Sequence, residues 1–279
     1  MRIRQKHPIL DRVKVILVLL ALLCILCTLA QHLERNEKIS TIERFLQVAL
    51  EPVGTTMYIW GGGWNDVDSA AGAGSTKIGV SDEWEKFAEN QDENYDYTNY
   101  RFEREKGLDC SGYVGWVLYN AFETKEGGEG YVTISTDMAK NLSDRGWGEY
   151  IENPTEFLPG DIVSMDGHVW ISLGTCEDGS VLLVHSSPPG VSVCGTQIPQ
   201  ENQTEGYDGM SIAIELATIF MEEHYPEWQK KYPNRATSAE YLENVSLMRW
   251  NNTTMKDAEE WQKKKGEEII ELLQVVSRN

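Results

Sequence analysis

The chain is poor in cysteine, in histidine and in positive charge. Five cysteines in 279 residues (24, 27, 110, 176 and 194) are too few for a disulfide scaffold, and no pair of CxxC motifs offers a zinc site. Lys and Arg total 25 against 44 Asp and Glu, a net charge of −19. That deficit excludes nucleic acid as the main partner, because phosphate binding needs a basic face. Internal repeats and low-complexity tracts are absent. With 41% hydrophobic residues the chain can nevertheless bury a core, so wholesale disorder is excluded.

The charge is unevenly spread. Residues 1–30 hold five basic side chains (Arg2, Arg4, Lys6, Arg12, Lys14) and one acid, Asp11, which leaves −23 on residues 31–279. Val15–Ala30 is a run of sixteen uncharged residues, polar only at Thr28. A basic start followed by an apolar run reads as an N-terminal anchor or an export signal. Sixteen residues stand between the ~20 of a spanning helix and the ~7–15 of a signal core, so both readings stay open. Residues 1–34 are assigned to this leader. Either way residues 31–279, with the domain at 35–279, are expected outside the cytoplasm, held at the cell membrane by one span or secreted after cleavage behind Ala30.

Ser40-Thr41-Ile42-Glu43 fits a capping box, with apolar residues at helical spacing up to Pro52. Tyr58-Ile59-Trp60 then runs into Gly61-Gly62-Gly63. Composition reads residues 63–108 as a solvated acidic insertion with one short helix near Asp82–Glu89. A sharper reading makes the insertion a lid, with Tyr95, Tyr97, Tyr100 and Phe102 as contact area; deleting residues 70–98 would then alter substrate range and leave the fold intact. A buried helix begins at Asp109-Cys110-Ser111-Gly112, with Asp109 as N-cap, and a second covers Thr136–Arg145. Strands follow at Asp161–Ser164, Val169–Leu173, Val181–Ser186 and Val191–Cys194. From about residue 211 the chain becomes helical, at Ile212–Glu223 and Asp257–Val276, with one more strand at Val245–Trp250.

Thiol chemistry needs a thiolate, a base and a group that orients the base. Cys110 sits where the free N–H groups of a helix start favour the anion. Of the five histidines, His7 and His32 flank the apolar run and His224 lies in a polar helix end, leaving His168 and His185. A four-residue loop at Cys176–Gly179 sets Trp170 opposite His185 and makes His168 its diagonal neighbour on the same face, ~7–8 Å away between Cα atoms. An odd loop would part the rings. The geometry therefore allows a Cys110–His168–His185 triad, with the helix packed on the face that carries the imidazoles. The same register sets Cys176 and Cys194 two strand spacings apart, ~10 Å, beyond disulfide reach, so both are expected as free thiols. No metal is implied, since neither histidine has a second His or Cys at ligand spacing, and no cofactor motif is present.

Leu-Asp-Cys-Ser-Gly-Tyr-Val at 108–114, Pro-Gly-Asp-Ile-Val at 159–163, Gly-His-Val-Trp-Ile-Ser-Leu-Gly at 167–174 and Tyr58-Ile59-Trp60-Gly61-Gly62 together resemble the NlpC-type cell-wall cysteine peptidases. The resemblance spans residues 40–196 and implies an α+β, papain-like fold, an antiparallel central sheet with the nucleophile-bearing helix packed on it. It implies Cys110 as nucleophile, His168 as general base and His185 as orienting residue. Tyr58 would line the substrate cleft near the developing oxyanion, and Asp109 and Ser111 would contact the substrate. The implied reaction is hydrolysis of peptidoglycan stem peptides, often between D-glutamate and the diamino acid. The 46 residues between Gly62 and Asp109 depart from the short connection usual in that family. Two other readings stand beside it: a CHAP-type amidase or acyltransferase using the same triad, and a catalytically inactive wall-binding module.

Overall fold

The computed structural model describes residues 40–65, 71–124, 130–203 and 209–276, all within one compact unit that begins at Ser40. The basic leader and its apolar run lie outside the described residues. Among the described residues, no helix is long and apolar enough to cross a membrane.

The fold is α+β. Eight strands form one curled sheet: β1 (Met57–Tyr58), β2 (Gly107–Leu108), β3 (Gly148–Glu152), β4 (Ile162–Met165), β5 (His168–Thr175), β6 (Val181–Ser187), β7 (Gly190–Gly195) and β8 (Ser246–Trp250). Their order is β2-β1-β7-β6-β5-β4-β8-β3. Among the described residues seven helices accompany it: α1 (Ile42–Leu50), α2 (Asp82–Glu89), α3 (Cys110–Ala121), α4 (Met138–Asp144), α5 (Ile212–His224), α6 (Pro226–Lys231) and α7 (Gly266–Val276). The expected antiparallel central sheet runs from β1 through β7 to β3, and the whole is mixed because β1 and β2 at one edge run parallel. Sequence patterning misses β1 and β2, two residues each, and β3, whose Gly148-Glu149-Tyr150-Ile151-Glu152 offers little apolar alternation. It also overextends the last helix, since residues 257–265 hold only a 3₁₀ turn at Trp261–Lys263.

Alternation along the strands makes two cores. Val169, Ile171, Leu173, Leu182, Val184, Val191 and Val193 join the larger one, with α1, α3 and α5. Trp170, Val181, Leu183, Cys194, Val163 and Leu247 form a smaller one on the other face, closed by Phe157. Cys176 lies in the first and Cys194 in the second, both as free thiols. Opposite faces keep them apart, not only the distance inferred from the strand count.

The β5–β6 hairpin turns through five residues, because Thr175 pairs with Val181 rather than with Ser180. On its own that odd length would part the two histidines. A bulge restores the parity: Gly174 pairs with Leu182, yet Ser172 pairs with Leu183 and Ile171 with Val184. Continued by one step, the register sets Trp170 opposite His185 as expected, for a different reason.

Residues 71–108 carry the expected short helix, Asp82–Glu89, and are exposed or half-buried over most of their length, but they are anchored in the core. Trp84, only 1% exposed, meets Trp116 of α3 edge to face with centroids 6.2 Å apart. Asn120 of α3 accepts from Gly79 N and donates to Lys77 O. Farther along, Lys231 and Tyr232 hydrogen-bond Gln91 O and Asp92 O at 2.7 Å each. Acidic composition hid an apolar face of α2, so removal of 70–98 would take a buried tryptophan out of the core and could not leave the fold intact.

Asp161, fully buried in the Pro159-Gly160-Asp161 turn, receives Leu158 N at 2.8 Å and pairs with Arg249 of β8 at 2.7 Å. Burial raises its carboxyl to about 6, against the lowering by the guanidinium. Arg249→Met leaves that carboxylate without its partner and is expected to cost about 3 kcal/mol at neutral pH. The loss should be largest above pH 6, where Asp161 is ionised, and shrink below it as the carboxyl protonates. Denaturant melts of both proteins at pH 5 and pH 8 check this, and a loss independent of pH would contradict it.

Candidate functional site

The site is built on a contact between two backbones. Gly61-Gly62-Gly63 turns directly over the first turn of α3, so close that a Cβ on Gly112 would strike Gly62 O. The glycines at 62 and 112 are therefore required by space. Asp109 seals the contact: its Oδ1 accepts Gly112 N (2.7 Å) and Ser111 Oγ (3.0 Å), and its Oδ2 accepts Gly61 N (3.1 Å). Trp64 Nε1 donates to Ser111 Oγ at 3.0 Å. Asp109 is thus the expected N-cap, and it and Ser111 are occupied in holding the turn to the helix. Both still line a cleft of about 290 Å³ together with Cys110, Tyr58, Trp60, Trp64, Phe102, Arg104 and Ser135.

Cys110 is the first residue of α3 and is 7% exposed. The backbone N–H groups of Val169 and Ser111 and the Ser135 hydroxyl act on it electrostatically, each favouring the thiolate. Val169 is the residue after His168, so the thiol meets the very start of β5. The expectation that the helix start lowers the thiol pKa is reversed: burial, then the Asp109 charge, pushes it up to about 12. Burial also lowers His168 to about 4 and His185 well below its usual value. All three shifts favour uncharged thiol and imidazoles near neutral pH, because burial removes the solvation that a charge needs.

His168 Nε2 and His185 Nδ1 are 3.1 Å apart. The two rings lie on the face of Trp170 and the smaller core, whereas α3 packs on the other face of β5 and β6. This corrects the expectation of helix and imidazoles on one face; Cys110 reaches the histidine strand at its end, through Val169. A third ring completes the arrangement. Tyr241, in a 3₁₀ turn at Ala239–Leu242, places its hydroxyl 3.2 Å from His185 Nδ1 and stacks on Trp170. If Nδ1 of His185 accepts from both neighbours, His168 carries its proton on Nε2 and offers Nδ1 as a bare base.

Tyr58 is 7% exposed and borders the same cleft. Burial and the nearby Cys110 and Asp109 raise its pKa, so its hydroxyl stays a donor. Sequence reasoning did not single out Ser135, Trp64, Arg104 or Tyr241. Tyr241 follows His185 by 56 residues with no motif between them, and only the return of the chain beside β6 brings it in. No group of three or more His, Cys, Asp or Glu that could hold a metal occurs among the described residues. Comparison of the chain with family models, with curated proteins and with solved structures gives no match.

The tautomers can be read by ¹⁵N NMR. The expected pattern is bare Nδ1 and protonated Nε2 on both His168 and His185. Tyr241→Phe should weaken this preference while leaving the melting temperature within a few degrees, since the ring stack remains and a single net hydrogen bond is worth only about 1 kcal/mol. A protonated Nδ1 on His185 would refute the assignment.

Proposed function

We propose that this chain is a bacterial cell-wall cysteine peptidase, membrane-anchored or secreted, that cleaves peptidoglycan stem peptides through an acyl-enzyme. The observation that carries this reading is a cleft-lining thiol at a helix start, under the electrostatic influence of the Val169 N–H that follows His168, with His168 hydrogen-bonded to His185. The motif order that resembles the NlpC-type peptidases supports it independently, and on this reading the α+β fold is of the papain-like kind.

His168 Nδ1 takes the proton of Cys110 as Sγ attacks the carbonyl carbon of the scissile amide. The imidazolium that forms is stabilised through its Nε2–H by Nδ1 of His185, which burial keeps neutral. Tyr58, held protonated, donates to the developing oxyanion. His168 then gives its proton to the leaving amine as the C–N bond breaks, and the thioester remains. Water, deprotonated by His168, attacks the thioester; the acid is released and the thiol is restored. Because the resting pair is uncharged, the thiolate arises in concert with attack. Of the stem-peptide bonds, the one between D-glutamate and the diamino acid is favoured by the resemblance.

The negative body, −23 over residues 31–279, is repelled by a wall rich in carboxylates and phosphates, with screening over ~8 Å at physiological salt. An anchor offsets that repulsion by keeping the local concentration high.

Two measurements test the reading. Purified peptidoglycan digested with wild type and Cys110→Ala should give different fragment masses, the new ends naming the bond; identical patterns would sink the hydrolase. In the kcat/KM profile the acid limb should fall near pH 4, where His168 protonates, and not near the ordinary histidine value of 6.5. The sign follows from the lowered pKa: the base stays neutral, and competent, at pH 5. A limb at 6.5 would remove His168 as the buried base.

A further inference from the structure

A buried positive charge stands behind the two histidines with no carboxylate against it. Residues 235–237 run beside the end of β7: Gly195 N donates to Arg235 O at 2.9 Å, and Gly195 pairs with Ala236. That register sets Arg235 beside Cys194, and neighbours across a sheet share a face. It is the face of Trp170, Leu183 and Cys194, and of His185, which lies two residues along β6 from Leu183. Arg235 is only 2% exposed. Its Nη2 donates to Tyr232 O, while Nε and Nη1 have no hydrogen-bond partner. The group that acts on its charge is the Cys194 thiol, and no ion pair neutralises it among the described residues. Arginine is almost never fully buried unless paired, so this one is held at a cost to stability.

A guanidinium keeps its proton at any accessible pH, so an unneutralised one imposes its charge on whatever lies nearby. Here that includes His185. Among the described residues, the charged and titratable groups around this ring are His168 from β5, Tyr241 from the 3₁₀ turn, whose hydroxyl is 3.2 Å from Nδ1, and Arg235 from the segment beside β7. On β7 itself Ser192 stands opposite His185, and Cys194 follows two residues on. No carboxylate is among them. Burial, then His168 and Arg235, all disfavour a proton on His185.

We propose that Arg235 is a positioning residue that confines the transferred proton to His168, because its unpaired charge bars His185 from becoming a cation. This deepens the peptidase reading and rests on it for the origin of that proton. When Cys110 gives its proton to Nδ1 of His168, the imidazolium keeps its Nε2–H on the hydrogen bond to Nδ1 of His185, 3.1 Å away. Two equivalent imidazoles would share the proton on that bond. Its transfer would make His185 the cation and leave His168 neutral, with Nδ1–H and a bare Nε2. A neutral imidazole is a far weaker acid than an imidazolium, and the leaving amine would go unprotonated. The guanidinium makes the His185 cation the costlier of the two, since like charges repel strongly in a buried site. His185 thus accepts the hydrogen bond and leaves the proton on the ring that must return it.

The test is a ¹⁵N NMR pH titration of the full chain labelled at histidine, comparing wild type with Arg235→Met and Arg235→Gln. Both variants remove the charge, and the second keeps a donor for Tyr232 O. In the wild type the first proton taken up by the pair as pH falls should appear on His168, with the His185 ring still neutral. In both variants it should appear on His185, at a pH higher by about one unit, the scale of one like charge nearby. The acid limb of kcat/KM on purified peptidoglycan should move up with it, since a His185 that donates to Nε2 of His168 leaves that base with its proton on Nδ1. The melting temperature of Arg235→Met should hold or rise, because an apolar side chain of similar volume carries no buried charge; a residue needed only for packing would lower it. A first proton on His185 in the wild type, a first proton still on His168 in both variants, an acid limb that stays in place, or a melting temperature that falls in both variants would each overturn the assignment. The peptidase reading fails separately. If the titration moves as expected yet wild type and Cys110→Ala leave the same peptidoglycan fragments, the hold of Arg235 on the histidine pair stands and the hydrolase does not.

Discussion

The structure depends on one close approach, the Gly61–Gly63 turn laid on the first turn of α3. Two backbones can come this near only without side chains between them, and they stay there because the Asp109 carboxylate takes N–H groups from both. The consequences spread outward. The turn fixes Tyr58 and Trp60 at the cleft and carries the carbonyl that holds Arg104. It also brings Trp64 over Ser111. The same burial raises the Asp109 carboxyl to about 6: the fold has removed it from water, and its three hydrogen bonds oppose that desolvation only in part. A residue that a motif marks for substrate contact is first of all the clamp that makes the cleft.

Much of this was legible beforehand, and the reasons are local. The N-cap at Asp109, the strand carrying His168 and the strand carrying His185 follow from residue type and spacing over a few positions. The face shared by the two imidazoles was also reached, yet through a loop one residue too short; a bulge between Ser172 and Gly174 supplies the compensating residue. Parity is preserved by two departures from regularity that cancel, and no pattern of hydrophobicity announces either. What stayed hidden is non-local. Tyr241 meets His185 only after the chain has passed through α5 and α6. The 71–108 segment looked solvated because its acids outnumber its core contacts, although one tryptophan and one serine hold it to α3 and the glycine turn.

Electrostatics follow burial here more than they follow the helix dipole. The start of α3 should favour a thiolate, but the sulfur is enclosed and lies beside a carboxylate, and desolvation dominates. The same enclosure depresses both histidines. Burial thus outweighs the helix start and leaves the thiol and both imidazoles uncharged near neutral pH.

The position of β8 carries one more consequence. This strand, Ser246–Trp250, sits between β4 and β3, and its Arg249 neutralises the Asp161 turn. The sheet is therefore interrupted, and a buried carboxylate stands without its counter-ion, until nearly the last tenth of the chain has arrived. Tyr241, just ahead of it, joins the histidines at the same late moment. A polypeptide emerging N-terminus first from a ribosome consequently carries its thiol, glycine turn and both imidazoles before Tyr241 and Arg249 have been made. Order of synthesis thus sets the tyrosine and the arginine last in place.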